Sequence, residues 1–211
     1  FIIMGANFGK SKYLKIHNKI LGWKLFICFG QNSDFSSICF DLPTFWYDVG
    51  LTGLLNHRAF MRRFEDEISR AIRFHQNLVL VVLDLDKFKR INDTHGHLYG
   101  DYVIKTVGEI IQNSVRNIDV VARYGGEEFT VILVDTNQSS SLVVAERIVQ
   151  NVENYNFSLN GINEHMSISA GMSEFPGNSN ELKSLIDFAD KAMYRAKNLG
   201  GNRVEVSSDN L

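Results

Sequence analysis

Cysteine is scarce in this chain and absent past residue 39. The two that occur, Cys28 and Cys39, both lie in the N-terminal flank. That excludes a disulfide framework and a zinc site of paired cysteines, and makes a reducing compartment the default. A surplus of one charge is also lacking: 22 Lys and Arg against 24 Asp and Glu leave a net charge of −2. Gripping a nucleic-acid polymer through a broad basic surface is therefore not expected, whereas a small anionic ligand needs only a few local cations. Long hydrophobic runs are missing as well. The main apolar patch, residues 20–29, is broken by Lys24 and is too short to span a bilayer. Phe1-Ile2-Ile3 has neither the basic lead-in nor the cleavage site of a signal peptide. The expectation is a cytoplasmic domain with no membrane contact of its own, which leaves a membrane tether open for a longer protein. No internal repeat or low-complexity tract occurs.

The 211 residues allow one ordinary domain and a flank. The expected division is a flank or linker of unknown fold over 1–45 and a main domain over 46–211. In the flank, 1–8 reads as a strand and 12–29 as an amphipathic helix or two strands. Pro43 and the aromatic run Phe45-Trp46-Tyr47 mark the boundary. Beyond it, Asn56 is an N-cap for a helix over 57–75, whose Phe60, Phe64, Ile68, Ala71 and Ile72 form an inward stripe. The unbroken run Leu78-Val79-Leu80-Val81-Val82-Leu83 fits a central strand buried on both faces. A short helix over 87–93 and a longer one over 101–115 follow. Then come two hairpin strands (119–124 and 127–134) and a helix over 138–155. A strand over 166–175, with Gly171 as a candidate bulge, precedes a helix over 181–199. Gly200-Gly201 stops that helix before an edge strand at 202–206. This order predicts an α/β (α+β) fold: a mixed central sheet flanked by helices, close to a split β-α-β arrangement.

The organising stretch is Arg123-Tyr124-Gly125-Gly126-Glu127-Glu128-Phe129. Two glycines between apolar strands suit a tight turn with positive φ. Glu127 and Glu128 then open the returning strand, where successive side chains point to opposite faces. Asp84 ends the central strand. If the two strands are neighbours, acids from both meet at one sheet edge, where burial is costly without a cation or hydrogen bonds. Hard oxygen ligands of this kind suit Mg²⁺ or Mn²⁺ together with substrate phosphates. Asp86 reads instead as a cap of the short helix that follows.

The run from Asp84-Leu85-Asp86-Lys87-Phe88-Lys89 through Asn92-Asp93-Thr94-His95-Gly96-His97 to Gly100-Asp101, followed by the Gly-Gly-Glu-Glu-Phe turn, resembles the GGDEF family of bacterial diguanylate cyclases. Leu51-Thr52-Gly53-Leu54-Leu55-Asn56 and Asp190-Lys191-Ala192-Met193-Tyr194-Arg195-Ala196-Lys197 match that family in the right order. The resemblance covers about residues 48–206 and implies a palm-like nucleotidyl-cyclase fold that condenses two GTP into cyclic di-GMP. It also implies a homodimer, because each domain presents one GTP to the other. Carried over by residue, Asp84 and Glu127 hold the divalent metals with the main-chain carbonyl of Leu85. Glu128 is a further ligand or helps deprotonate the attacking hydroxyl. Asn92 and Asp101 take the guanine edge, and the amides around Phe88 and Lys89 receive the β- and γ-phosphates at a helix start. Lys197 neutralises phosphate charge.

Arg116-Asn117-Ile118-Asp119 stands at the offset of the family's RxxD inhibitory site. There Arg116 and Asp119 bind product cyclic di-GMP, and Arg147 is a candidate additional arginine. Two departures stand out. Gly201 occupies the place of a phosphate-binding arginine, which implies weaker GTP binding, and Val49 stands where the family often has Asp. A non-catalytic module that senses GTP or cyclic di-GMP is the competing expectation.

Overall fold

In the computed structural model, residues 51–208 are described in full. Before them, the backbone of 2–8, 11–17, 24–29 and 35–41 is described. The boundary marks at Pro43 and Phe45-Trp46-Tyr47, and the departure at Val49, lie outside the described residues. The chain divides into two units, Phe1–Asp48 and Val49–Leu211. The first is a four-stranded antiparallel meander of β1 (Ile2–Phe8), β2 (Ser11–His17), β3 (Lys24–Phe29) and β4 (Phe35–Asp41), in that spatial order. Of the two readings of 12–29, two strands is therefore the one observed.

The second unit is built on a six-stranded mixed sheet. Its strands are β5 (Leu55–Asn56), β6 (Leu78–Leu85), β7 (Val120–Arg123), β8 (Glu128–Val134), β11 (Ile168–Phe175) and β12 (Val204–Val206). The spatial order is β12-β11-β6-β8-β7-β5. β6 lies between β8 and β11, antiparallel to both, while the edge strands β5 and β12 are parallel to their neighbours. All eight residues of β6 are buried, as its unbroken apolar run requires. Leu78, Leu80 and Val82 pack with α1 (His57–Phe74) and α5 (Leu182–Asn198), whereas Val79, Val81, Leu83 and Leu85 join the core beneath α3 (His97–Asn113) and α4 (Gln138–Glu153). The period of two along the strand thus sorts two helical layers onto two faces.

Helix starts follow local chemistry. The Asn56 side chain accepts from Ala59 N at 2.9 Å and the Asn137 side chain from Ser140 N at 2.9 Å, each capping its helix. Ile72, expected inward on α1, is exposed instead. The stripe narrows toward the helix end, where Ala71 is its last buried member.

Gly171 is not a bulge. It pairs in regular register with Val82 and with Glu205. A Cβ there would strike the α5 backbone at Ala189 O, Met193 N and Met193 Cα, the last at 2.8 Å. The glycine lets α5 lie directly on the sheet.

Past α4 stands an element that hydrophobic periodicity does not announce, a two-stranded ribbon of β9 (Phe157–Leu159) and β10 (Ile162–Glu164). Asn160 and Gly161 join the strands with φ of 52° and 82°. That is the backbone a type I′ turn demands, and Asn-Gly is its strongest short-range signal.

Candidate functional site

Asp84 stands one residue before the end of β6 and is the cross-strand partner of Glu128 at the start of β8. Partners directly opposite in an antiparallel pair share a face, here the face covered by α5. From α5, Lys197 brings its Nζ to 2.5 Å from Asp84 Oδ1. That oxygen is buried and has no other hydrogen-bond donor among the described residues. Burial pushes the Asp84 carboxyl above its ordinary range, and the Asp86 charge adds to this; the Lys197 hydrogen bond and charge oppose it without prevailing.

Glu127 lies in the turn rather than in the returning strand, which begins at Glu128. Strand alternation therefore does not set its direction. Its main-chain carbonyl accepts from Leu85 N at 3.3 Å, tying the turn to the end of β6. Its carboxyl is raised by burial and next by the charge of Asp84, with Lys197 opposing and Glu128 adding. Asp190 on α5 is raised to about 6, first by burial, then by Glu128 and Asp187. One end of the sheet thus gathers more carboxylate charge than Lys197 offsets.

The turn differs from the expected one. Neither Gly125 nor Gly126 has a left-handed φ. The backbone N–H groups of Tyr124 and Gly125 both donate to Glu128 O (2.8 and 3.2 Å), and the Arg123 guanidinium donates to Gly126 O at 2.7 Å. Gly125 is needed for a different reason: a Cβ there would run into the Glu128 carboxylate. Its lack of a side chain lets Glu128 fold back over the turn.

Asp86 caps nothing. The residue preceding α2 (Phe88–His95) is Lys87, with φ 57° and no side-chain cap bond. The two oxygens of Asp86 accept from Ser167 Oγ (2.7 Å), Ser169 Oγ (2.7 Å) and Asn202 N (3.0 Å), tying the β6 end to β11 and to the loop after α5. In that loop Gly201 has φ 77°, and a Cβ there would sit 2.9 Å from Asp86 Oδ2. An arginine at this place would be strained by the backbone conformation and would press on Asp86.

Phe88 is buried and Lys89 exposed at the start of α2. Asn92, also on α2, lies against Gly100, where a Cβ would overlap its side-chain oxygen and come within 3.2 Å of Phe88 Cζ. Asp101 follows directly and is exposed. Because α3 begins at His97, four residues earlier than expected, Asp101 lies a full turn inside the helix and is not its cap.

On another part of the surface, Arg116 forks onto Asp119 (Nη2–Oδ1 2.9 Å, Nε–Oδ2 3.2 Å) and donates to Val134 O at 2.7 Å. The buried Asp119 also accepts from Arg116 N and Val134 N. Arg147 donates to Ser114 O at 2.6 Å, two residues before Arg116. The three candidate inhibitory residues are thus neighbours.

No group of three or more His, Cys, Asp or Glu side chains among the described residues is set to hold an ion by itself. The donor set at the sheet end nevertheless fits a divalent cation. It offers two carboxyls held above their usual range by burial first and by a neighbour's negative charge as well, and one buried oxygen served only by the Lys197 ammonium.

Residues 46–203 match the family described as "Diguanylate cyclase, GGDEF domain". The chain belongs to the GGDEF family. Among its GGDEF relatives, diguanylate cyclase A of Treponema denticola is 43% identical over 136 residues, which is 64% of this chain and 37% of that protein. Diguanylate cyclase DosC of Escherichia coli K12 is 41% identical over 164 residues, covering 76% of this chain and 35% of DosC. The chain thus spans little more than a third of the length of these curated relatives. Two GGDEF structures resemble it closely. The GGDEF domain of DgcB from Caulobacter crescentus, in complex with c-di-GMP, is 34% identical with a TM-score of 0.72 over 77% of this chain and 94% of that one. The active GGEEF domain of a diguanylate cyclase from Vibrio cholerae is 31% identical with a TM-score of 0.70 over 74% and 99%. The expected mixed sheet flanked by helices is the fold observed. No helix among the described residues is long and apolar enough to cross a membrane.

Proposed function

We propose that this chain is the catalytic domain of a diguanylate cyclase, joining two GTP molecules into cyclic di-GMP with release of two pyrophosphates. The observation that carries the reading is the meeting of Asp84, Glu127 and Lys197 at one end of the sheet, on a chain with close relatives named diguanylate cyclases. Phosphoryl transfer asks mainly for positioning and charge neutralisation. Asp84, Glu127, Glu128 and the Leu85 carbonyl would hold Mg²⁺ or Mn²⁺. Bound there, the metal supplies Lewis-acid stabilisation of phosphate charge. Lys197, half-buried at the same place, exchanges its pairing with Asp84 for phosphate oxygens. The free amides at the start of α2, around Phe88 and Lys89, favour the β- and γ-phosphates through dipole and hydrogen bonds. Asn92 and Asp101 take the guanine edge. A homodimer follows from the reaction, since each GTP 3′-hydroxyl attacks the other nucleotide.

Incubation of the purified chain with GTP and Mg²⁺, with products resolved chromatographically, yields cyclic di-GMP and pyrophosphate at a rate rising faster than linearly with protein concentration. Binding of GTP without pyrophosphate release identifies a sensing module instead. A carboxylate accepts from guanine N1 and N2, a donor pair that adenine does not present. In the same assay Asp101→Ala therefore loses most of the preference for GTP over ATP, a preference that buried hydrogen bonds raise to roughly 10⁴-fold. An unchanged ratio removes Asp101 from the guanine site.

Product inhibition is assigned to Arg116, Asp119 and Arg147. The fork of Arg116 is the geometry that takes phosphate or guanine bidentately. Arg116→Ala abolishes inhibition by added cyclic di-GMP without lowering the initial rate. Asp119 keeps its two backbone donors in this variant but loses both guanidinium donors, so stability falls by about 2–3 kcal/mol, within the range for hydrogen bonds to a charged group. Undiminished inhibition places the inhibitory site elsewhere.

A further inference from the structure

The ribbon β9–β10 lies outside the main sheet, and its polar contacts converge on one neighbour, the elbow between α2 and α3. Glu164, the last residue of β10, grips α2 twice: Oε1 lies 2.8 Å from His95 Nε2, and Oε2 accepts from Arg90 Nη2 at 3.3 Å. β9 grips α3 twice through main-chain carbonyls. Tyr99 OH donates to Phe157 O at 2.5 Å and Tyr102 OH to Ser158 O at 3.2 Å. Phe157 is fully buried and anchors the ribbon in the core. The His95 hydrogen bond, and next the Arg90 charge against the cost of burial, hold the Glu164 carboxyl below the usual range, so it stays ionised and available to both partners.

The two helices meet at Gly96, whose φ of 80° is the bend itself. Across that bend Asn92 touches Gly100, the residue before Asp101. His95 is one helical turn beyond Asn92, and Tyr99 two residues before Asp101. A shift of α2 relative to α3 therefore changes the separation of Asn92 and Asp101. Phe88 and Ile91 anchor one face of α2 in the core, but the helix has eight residues and no side-chain cap, and a helix that short takes its stability from its contacts.

We propose that Glu164 is a positioning residue for purine recognition. By holding Arg90 and His95 it sets the opening of the α2–α3 elbow and thereby the spacing of Asn92 and Asp101. The proposal rests on the assignment of those two residues to the guanine edge. Glu164 touches no nucleotide; it acts through α2.

The test measures KM and kcat for GTP, and equilibrium binding of a fluorescent GTP analogue with Mg²⁺, in wild type, Glu164→Gln, Glu164→Ala and Asp101→Ala. Glu164→Ala raises KM and the analogue Kd roughly tenfold, below the ~10²-fold that a 1 Å misplacement can cost, with kcat at saturation within about twofold. Glu164→Gln keeps one acceptor, for Arg90, and offers its amide N–H to the unprotonated ring nitrogen of His95, so it recovers part of the loss. A merely structural role lowers kcat and the melting temperature together without separating Gln from Ala, and that pattern overturns the proposal, as does an unmoved KM. If Glu164→Ala does not fold, His95→Phe and Arg90→Met each remove one arm from the α2 side. Both then raise KM, and unchanged values in both overturn the proposal. The two layers fail differently. GTP binding that is intact in Asp101→Ala defeats the guanine assignment and the proposal with it. Binding lost in Asp101→Ala but intact in Glu164→Ala defeats the proposal alone.

Discussion

Asp84→Asn lowers the rate of cyclic di-GMP formation by about 10³-fold or more while the protein stays folded. The size follows from the several kcal/mol that a Lewis-acid ion contributes to phosphoryl transfer, each ~1.36 kcal/mol being tenfold in rate. Asparagine keeps the shape of the side chain but not the charge that holds an ion against phosphates. Stability points the other way. Burial already makes ionised Asp84 unfavourable enough to raise its affinity for protons despite Lys197. A folded-state pKa above the unfolded value means that ionising this group at neutral pH costs stability. A neutral amide escapes that cost, so thermal unfolding in chelator at pH 7 shows no loss of more than a few degrees. Product chromatography and calorimetry on one preparation check both halves. A variant that keeps a tenth of the wild-type rate would falsify the placement of Asp84 in the metal site.

The second large effect belongs to a residue that makes no polar contact with the site. Gly171→Ala destabilises the protein by about 3 kcal/mol, the upper end for overpacking a filled core. The added methyl meets main chain, and main chain cannot rotate away as a side-chain tip does. For a unit of this size the melting temperature falls by roughly 10 °C, at about 2–4 °C per kcal/mol. Activity falls further than folding accounts for, because α5 can relieve the clash only by lifting from β11 and drawing Lys197 off Asp84. Gly126→Ala is the contrast. A Cβ there meets nothing within 4 Å, and the backbone is not left-handed, so its melting temperature stays within a few degrees of wild type. Thermal unfolding of the two variants side by side decides the matter. Equal melting temperatures would show that the α5–β11 approach is not tight.

The contrast also shows what could be read before the structure. The acidic strand ends were legible because Asp84 closes an apolar run and the glutamates follow a glycine pair, both local patterns. Glycine itself was ambiguous. Gly125-Gly126 read as a positive-φ turn, yet Gly125 makes room for the Glu128 carboxylate. Gly171 read as a bulge but serves a close helix approach. Gly100 was left outside α3, which was expected from residue 101, whereas it lies inside the helix and receives Asn92. In each case the reason for the glycine is a neighbour that only the folded chain brings against it, and a period of 2 or 3.6 carries no information about that. Asp86 was misjudged on the same ground, since its partners lie 81 and 83 residues away at Ser167 and Ser169. The β9–β10 strands, three residues each, are too short for alternation to register. Only Asn160-Gly161 marked them.

Lys197 and Asn202, which secure Asp84 and Asp86, come from the last fifteen residues. A nascent chain on the ribosome therefore carries its acidic cluster without a counter-charge until α5 has been translated. A product cleaved between residues 129 and 197 keeps the Gly-Gly-Glu-Glu-Phe turn and loses the ammonium that balances it.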